Sequence, residues 1–161
     1  MQLMLKGVHW LNRFIFWLLA LFTAVMVAVV FSQVTFRFVL EKPLVWSEEV
    51  ALYCLVWITF LGGALAARNR GFIGVDALVR KIPAVGRLRI EILVQFLSAL
   101  FFLVLIIYGT QTTIIVAGQR AAATGISMAW VYAAVPVGGL LMFINSLAWL
   151  ADYTKEAKSM G

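Results

Sequence analysis

Four stretches of this chain contain no Asp, Glu, Lys, Arg or His: Phe14 to Phe36, Val50 to Ala67, Ile92 to Gln119 and Ala121 to Ala151. Roughly 20 apolar residues, rising about 1.5 Å each as a helix, cross the ~30 Å hydrocarbon layer of a bilayer. A water-soluble alternative lacks the means to cover its core. Of the 161 residues 64% are hydrophobic and 12% charged, where a soluble domain carries about a quarter charged residues. Lipid offers no hydrogen bonds to the backbone, so the runs must be helices. The expected fold is an all-α integral membrane protein, a single membrane domain over 1–161 with spans at about 14–36, 48–67, 90–118 and 127–150.

The ends of the runs carry further signals. The first is longer than the ~7–15 residues of a signal-peptide core, and no small-x-small cleavage site follows it, so it reads as an uncleaved membrane helix. Thr124, Gly125 and Ser127 make the start of the fourth run polar, which places the helix start near Ser127. Pro136, about two turns inside, should kink that helix. Trp10 and Trp17 flank the first run, Trp46 precedes the second, and Trp130 and Trp149 bracket the fourth. An indole, apolar in body with one polar N–H, settles at headgroup depth, so these residues are expected anchors.

Basic residues set the orientation. Lys6, Arg13, Arg68, Arg70, Arg80, Lys81, Arg87, Arg89, Lys155 and Lys158 fall on one side, and only Arg37, Lys42 and Arg120 on the other. The positive-inside rule then puts both termini in the cytoplasm. Between the second and third runs, Phe72, Ile73, Val75, Val79 and Ile82 alternate with Asp76, Arg80 and Lys81 before Pro83 and Gly86. That pattern predicts a short amphipathic helix over about 72–82, lying flat in the interface with Arg80 and Lys81 at the headgroups. Membrane lipid is thus an expected partner. Nucleic acid is not, because short loops cannot assemble a charged groove despite the net charge of +6.

Chemistry is sparse. His9 is the sole histidine and Cys54 the sole cysteine, which leaves no disulfide, no metal cluster, no pair of haem ligands and no nucleophile–base couple. No cofactor, no metal and no catalysis are expected. Ionisable groups inside a membrane mark ion paths and substrate sites, and the four runs hold none. The densest polar feature is Pro43-Leu44-Val45-Trp46-Ser47-Glu48-Glu49. Ser47 is placed to cap the second helix, with Glu48 and Glu49 suiting the positive end of its dipole. Alternatively, one carboxylate pairs with Arg37 or with a basic residue of a partner. Gly62/Ala66 and Gly63/Ala67 form small-x-x-x-small pairs for close helix approach, within the subunit or against another protein, and Gly138 and Gly139 could act similarly. Gln33, Gln95, Gln111, Thr112 and Asn145 should mostly face protein, and Cys54 and Trp57 read as packing residues.

Arg37, the Pro43-to-Glu49 segment, Trp57, Leu61-Gly62, Ala66, Arg68 and Val75-Asp76, in this order, resemble the small membrane subunit of tripartite ATP-independent periplasmic (TRAP) transporters, the DctQ-like family. Gly125-Ile126-Ser127-x-x-Trp130-x-Tyr132-Ala133-Ala134-x-Pro136 fits the same family, and the layout extends the likeness over nearly the whole chain. Where members often carry a histidine after the arginine closing the second helix, this chain has Phe72, so no role of that histidine transfers. The resemblance implies a bacterial inner-membrane subunit beside a large DctM-like subunit that holds the substrate and sodium sites. A periplasmic DctP-like binding protein would deliver an organic acid to the pair. The small subunit would widen and anchor the scaffold of an elevator-type transporter. Arg37, Trp46, Ser47, Glu48, Glu49, Gly62, Gly63 and Arg120 are the candidate contacts with those partners. The two quoted segments resemble sialic-acid members more than dicarboxylate members. The competing readings are a self-sufficient homo-oligomeric four-helix transporter, which ordinarily needs a membrane-embedded carboxylate, and a haem-bearing anchor, which needs histidines.

Overall fold

The absence of proline and of all but one glycine lets the first helix, α1 (Gln2–Phe38), run unbroken for 37 residues in a computed structural model that describes residues 2–68 and 84–159. Thr23, Ser32 and Thr35 donate their hydroxyls to the carbonyl four residues back, at 2.8, 2.8 and 2.9 Å. Each polar group is thereby satisfied inside its own helix. The chain leaves α1 through Glu41 in the left-handed region (φ 55°), and the Lys42 amide donates to the Phe36 carbonyl at 3.1 Å.

Helix α2 (Val45–Arg68) begins earlier than the capping reading of Ser47 requires. Ser47 lies inside the first turn, fully buried, and its hydroxyl donates to the Leu44 carbonyl at 2.6 Å. It accepts nothing from the first-turn amides, so the cap assignment is corrected. A buried hydroxyl needs a partner, and the carbonyl three residues back is the one within reach.

Helix α3 (Ala84–Ile115) ends in a 3-10 turn, Val116–Gly118. A tight connection then closes on itself. Arg120 and Ser127 pair across it, Ala121 N donates to Ile126 O at 2.9 Å, and Gly125 takes φ 68°, a conformation that glycine adopts without steric cost. Ser127 caps α4 (Met128–Tyr132), its hydroxyl oxygen accepting from the Ala129 amide at 3.3 Å. The bend expected at Pro136 is a break. A single residue, Ala133, separates α4 from α5 (Ala134–Ser159), because Pro136 has no N–H for the Tyr132 carbonyl.

Four segments among the described residues are long and apolar enough to cross a membrane: Gly7–Phe38, Val45–Arg68, Ile92–Gly118 and Met128–Leu150. The predicted flat helix over 72–82, with Arg80 and Lys81, lies outside the described residues.

The spans stand in a row ordered α1, α2, α5, α3. α2 packs on α1 and on α5, and α5 packs on α3, while α1 and α3 are not packed together. Close approach depends on glycine. A Cβ on Gly138 of α5 would sit 2.5 Å from Phe60 Cβ of α2, and one on Gly109 of α3 would sit 2.9 Å from Val135 Cγ1. Ile15, Cys54, Leu61, Ala64 and Phe102 fill the seams. Phe22 of α1 stacks on Trp57 of α2, with ring centroids 5.9 Å apart.

Candidate functional site: two polar ties and the exposed faces

Near the end of the row that carries the termini, α5 presents Asn145 and Ser146, both buried. Asn145 Nδ2 donates to Asn12 Oδ1 (2.9 Å) and to the Ala64 carbonyl (2.7 Å), and Asn12 Nδ2 donates back to Asn145 Oδ1 at 2.8 Å. The neighbouring Ser146 receives Gln95 Nε2 on both its hydroxyl and its carbonyl, the latter at 3.0 Å. Two adjacent residues of α5 thus hold side chains of α1 and α3 and the backbone of α2. All four spans meet at this layer.

At the opposite end, Glu49 in the first turn of α2 reaches across to the connection before α4. Its carboxylate accepts from Ala123 N and Thr124 N, each at 2.9 Å, from Thr124 Oγ1 at 2.8 Å, and from the Tyr53 hydroxyl at 3.3 Å. The loop turns those two amides toward α2 because Ala121 and Gly125 close it from behind, Gly125 N donating to Ala121 O at 3.0 Å. Neither Glu48 nor Glu49 pairs with Arg37 among the described residues. Arg37 instead lies over the Phe38 ring, 5.7 Å from its centroid. Arg120 Nη1 donates to the Gly125 carbonyl at 3.1 Å and braces the same loop.

The remaining sequence candidates divide by exposure. Trp46 and Glu48 are exposed beside the start of α2. Gly62 faces Leu19 of α1, and Gly63 faces the tip of Met142 of α5. Trp10, Trp17 and Trp130 are exposed at the edges of their spans, and Trp149 is half-buried. Of the neutral polar residues singled out by sequence, Gln95 and Asn145 face protein. Gln111 is exposed, and the Thr112 hydroxyl bonds its own helix at Tyr108 O. Sequence reasoning missed Asn12, Ser146 and Thr124. Asn12 sits beside Arg13 just before the apolar run, where a polar residue draws no attention, and only the inward turn of Ile15, three residues on, gives its direction away.

Among the described residues every buried side-chain nitrogen and oxygen has a hydrogen-bond partner. Asn145 and Ser146 spend their polar groups on holding the helices to one another. Such a chain is a multi-pass membrane protein. Comparison with known sequences agrees. The family model described as "Tripartite ATP-independent periplasmic transporters, DctQ component" matches residues 26–155, and the chain belongs to this family of transporter subunits, which are not enzymes.

Relatives extend the match. The sialic acid TRAP transporter permease protein SiaT of Haemophilus influenzae is 29% identical over 93% of the chain, and the chain spans 24% of that protein's length. A putative TRAP transporter small permease protein of the same species is 25% identical over 95% of this chain and 93% of its own. The sialic acid TRAP transporter small permease protein SiaQ of Vibrio cholerae is 27% identical over 82% and 76%.

Proposed function

We propose that this chain is the scaffold subunit of a sodium-coupled TRAP transporter for organic acids, stabilising and anchoring a large elevator-type membrane subunit. The reading rests above all on one observation. The spans bury no charge in their bodies, and the carboxylate at the start of α2, Glu49, is taken up by four hydrogen bonds from a loop and a neighbouring tyrosine. A group so engaged is not available to carry a proton or cation across a bilayer, so substrate and sodium belong to the partner. The chain itself needs no cofactor.

The proposed location is the bacterial inner membrane with both termini in the cytoplasm, as the distribution of Lys and Arg favours. The other end of the row would then face the periplasm, where Arg37, Lys42 and Glu48 are exposed to a substrate-binding protein. Sialic acid is favoured slightly as substrate by the relatives named for it, although others at 29% and 28% identity are named for C4-dicarboxylate and ectoine.

Co-expression with the large subunit from the same gene cluster should give a complex that survives detergent purification, and vesicles holding both should take up the organic acid with sodium. Vesicles holding this chain alone should stay inert. Uptake by the chain alone would favour the homo-oligomeric transporter and overturn the scaffold reading. Charge reversal at Arg37 and Lys42 should weaken docking of the binding protein, and unchanged docking would remove that part of the proposal.

A further inference from the structure

The direction in which α1 faces is fixed near its start. Asn12 is held by Asn145, and Ile15 is 2% exposed against the neighbouring helices. Residues at the opposite side of this turn therefore face away from the row. They are Trp10, Arg13, Phe14 and Trp17, and together they line one small concavity. Trp10, Arg13 and Trp17 follow one another at spacings of three and four, which places them on a single helix stripe. Trp10 is 76% exposed and Trp17 63%. Arg13 is exposed and makes no ion pair or hydrogen bond among the described residues.

Depth gives this stripe its meaning. Asn12 lies level with the Ala64 carbonyl through their shared partner Asn145. Arg68 lies one turn beyond Ala64 toward the membrane surface, about 6 Å further out. Arg13 thus stands nearer the middle of the spans than Arg68, with Phe14 and Trp17 further in. A guanidinium there extends outward along the stripe toward Trp10, where an anion at headgroup depth is its best partner. Trp10 and Trp17, on the same concavity, each carry one indole N–H donor.

We propose that Trp10, Arg13, Phe14 and Trp17 form a binding site for one anionic phospholipid. The phosphodiester lies on the Arg13 guanidinium, Trp10 lies beside the headgroup, and the first acyl carbons run over Phe14 and Trp17. A lipid carrying a net negative charge fits better than a zwitterionic one, because this side of the chain holds ten of the thirteen Lys and Arg residues but four of the seven Asp and Glu.

The test is native mass spectrometry of the purified full chain in micelles containing equal amounts of phosphatidylglycerol and phosphatidylcholine with matched acyl chains. Wild type should retain the anionic lipid over the zwitterionic one by about fivefold. R13Q should bring the two near parity, while R37Q, which removes an equal charge at the other end, should keep the preference. The proposal is overturned if wild type shows no preference, or if R13Q keeps it. It is also overturned if R37Q loses the preference equally, which would indicate a net-charge effect, or if inorganic phosphate at constant ionic strength displaces the lipid.

Discussion

Asn12 and Asn145 exchange two amide hydrogen bonds, of 2.8 and 2.9 Å, across 133 residues of chain. The exchange joins the first span to the last. Because Asn145 also holds the Ala64 carbonyl and its neighbour Ser146 receives Gln95, it stands at a level where all four spans are tied.

Removing this tie should destabilise the chain cooperatively. Hydrogen bonds between membrane helices contribute about 0.6 kcal/mol on average and up to about 1.7. Asn145→Leu should therefore lower the melting temperature in detergent by more than Asn12→Ala, because it loses the bond to α2 as well. A double-mutant cycle between Asn12→Ala and Asn145→Ala should give a positive coupling of about 0.5–1.5 kcal/mol. Strict additivity would mean that the pair does not act as a unit.

Glu49→Gln should loosen the connection before α4. The carboxylate meets the Ala123 and Thr124 amides with acceptors only, whereas glutamine would turn an NH2 donor toward one of them. A neutral side chain that can accept from only one of the two amides leaves the other to water, so amide exchange at Ala123 and Thr124 should accelerate. Glu48→Gln, an exposed neighbour, should leave both rates unchanged.

Gly138→Ala should be more harmful than Gly63→Ala. The new methyl at position 138 would lie 2.5 Å from Phe60 Cβ, an atom fixed to the backbone of α2. At position 63 it would meet the Met142 methyl, the far end of a flexible side chain that can swing aside. Overpacking of the first kind costs about 1–3 kcal/mol, visible as a lower melting temperature. Gly118→Ala, with open space around it, serves as the control.

The sole cysteine gives a direct test of orientation. Cys54 is buried and should resist a membrane-impermeant maleimide in intact cells. In a Cys54→Ala background, Lys42→Cys should label from outside the cell, and Gly7→Cys only after permeabilisation. The reverse pattern would invert the proposed topology.

The four membrane-length apolar spans were legible in the sequence because charge is excluded from hydrocarbon and so punctuates the chain. The polar residues opening the fourth run likewise located the start of the last span at Ser127. Ser47 was misread, since a serine ahead of two acids fits a cap equally well on paper, and only its burial against Leu44 shows the hydroxyl donating backward. The partner of Glu49 was not legible either. It is a pair of backbone amides, which every residue possesses and no side-chain pattern announces. Gly138 and Gly63 were visible as small residues, but which neighbour each admits depends on the order of helices in the row, and hydropathy carries no information about order.

That order has a consequence for transport. A conduit through a bilayer needs walls on every side, and a row of spans whose two end members, α1 and α3, stay apart encircles nothing among the described residues. What it does offer is apolar surface: Phe16, Phe31, Phe96 and Leu147 are among the large side chains it turns outward.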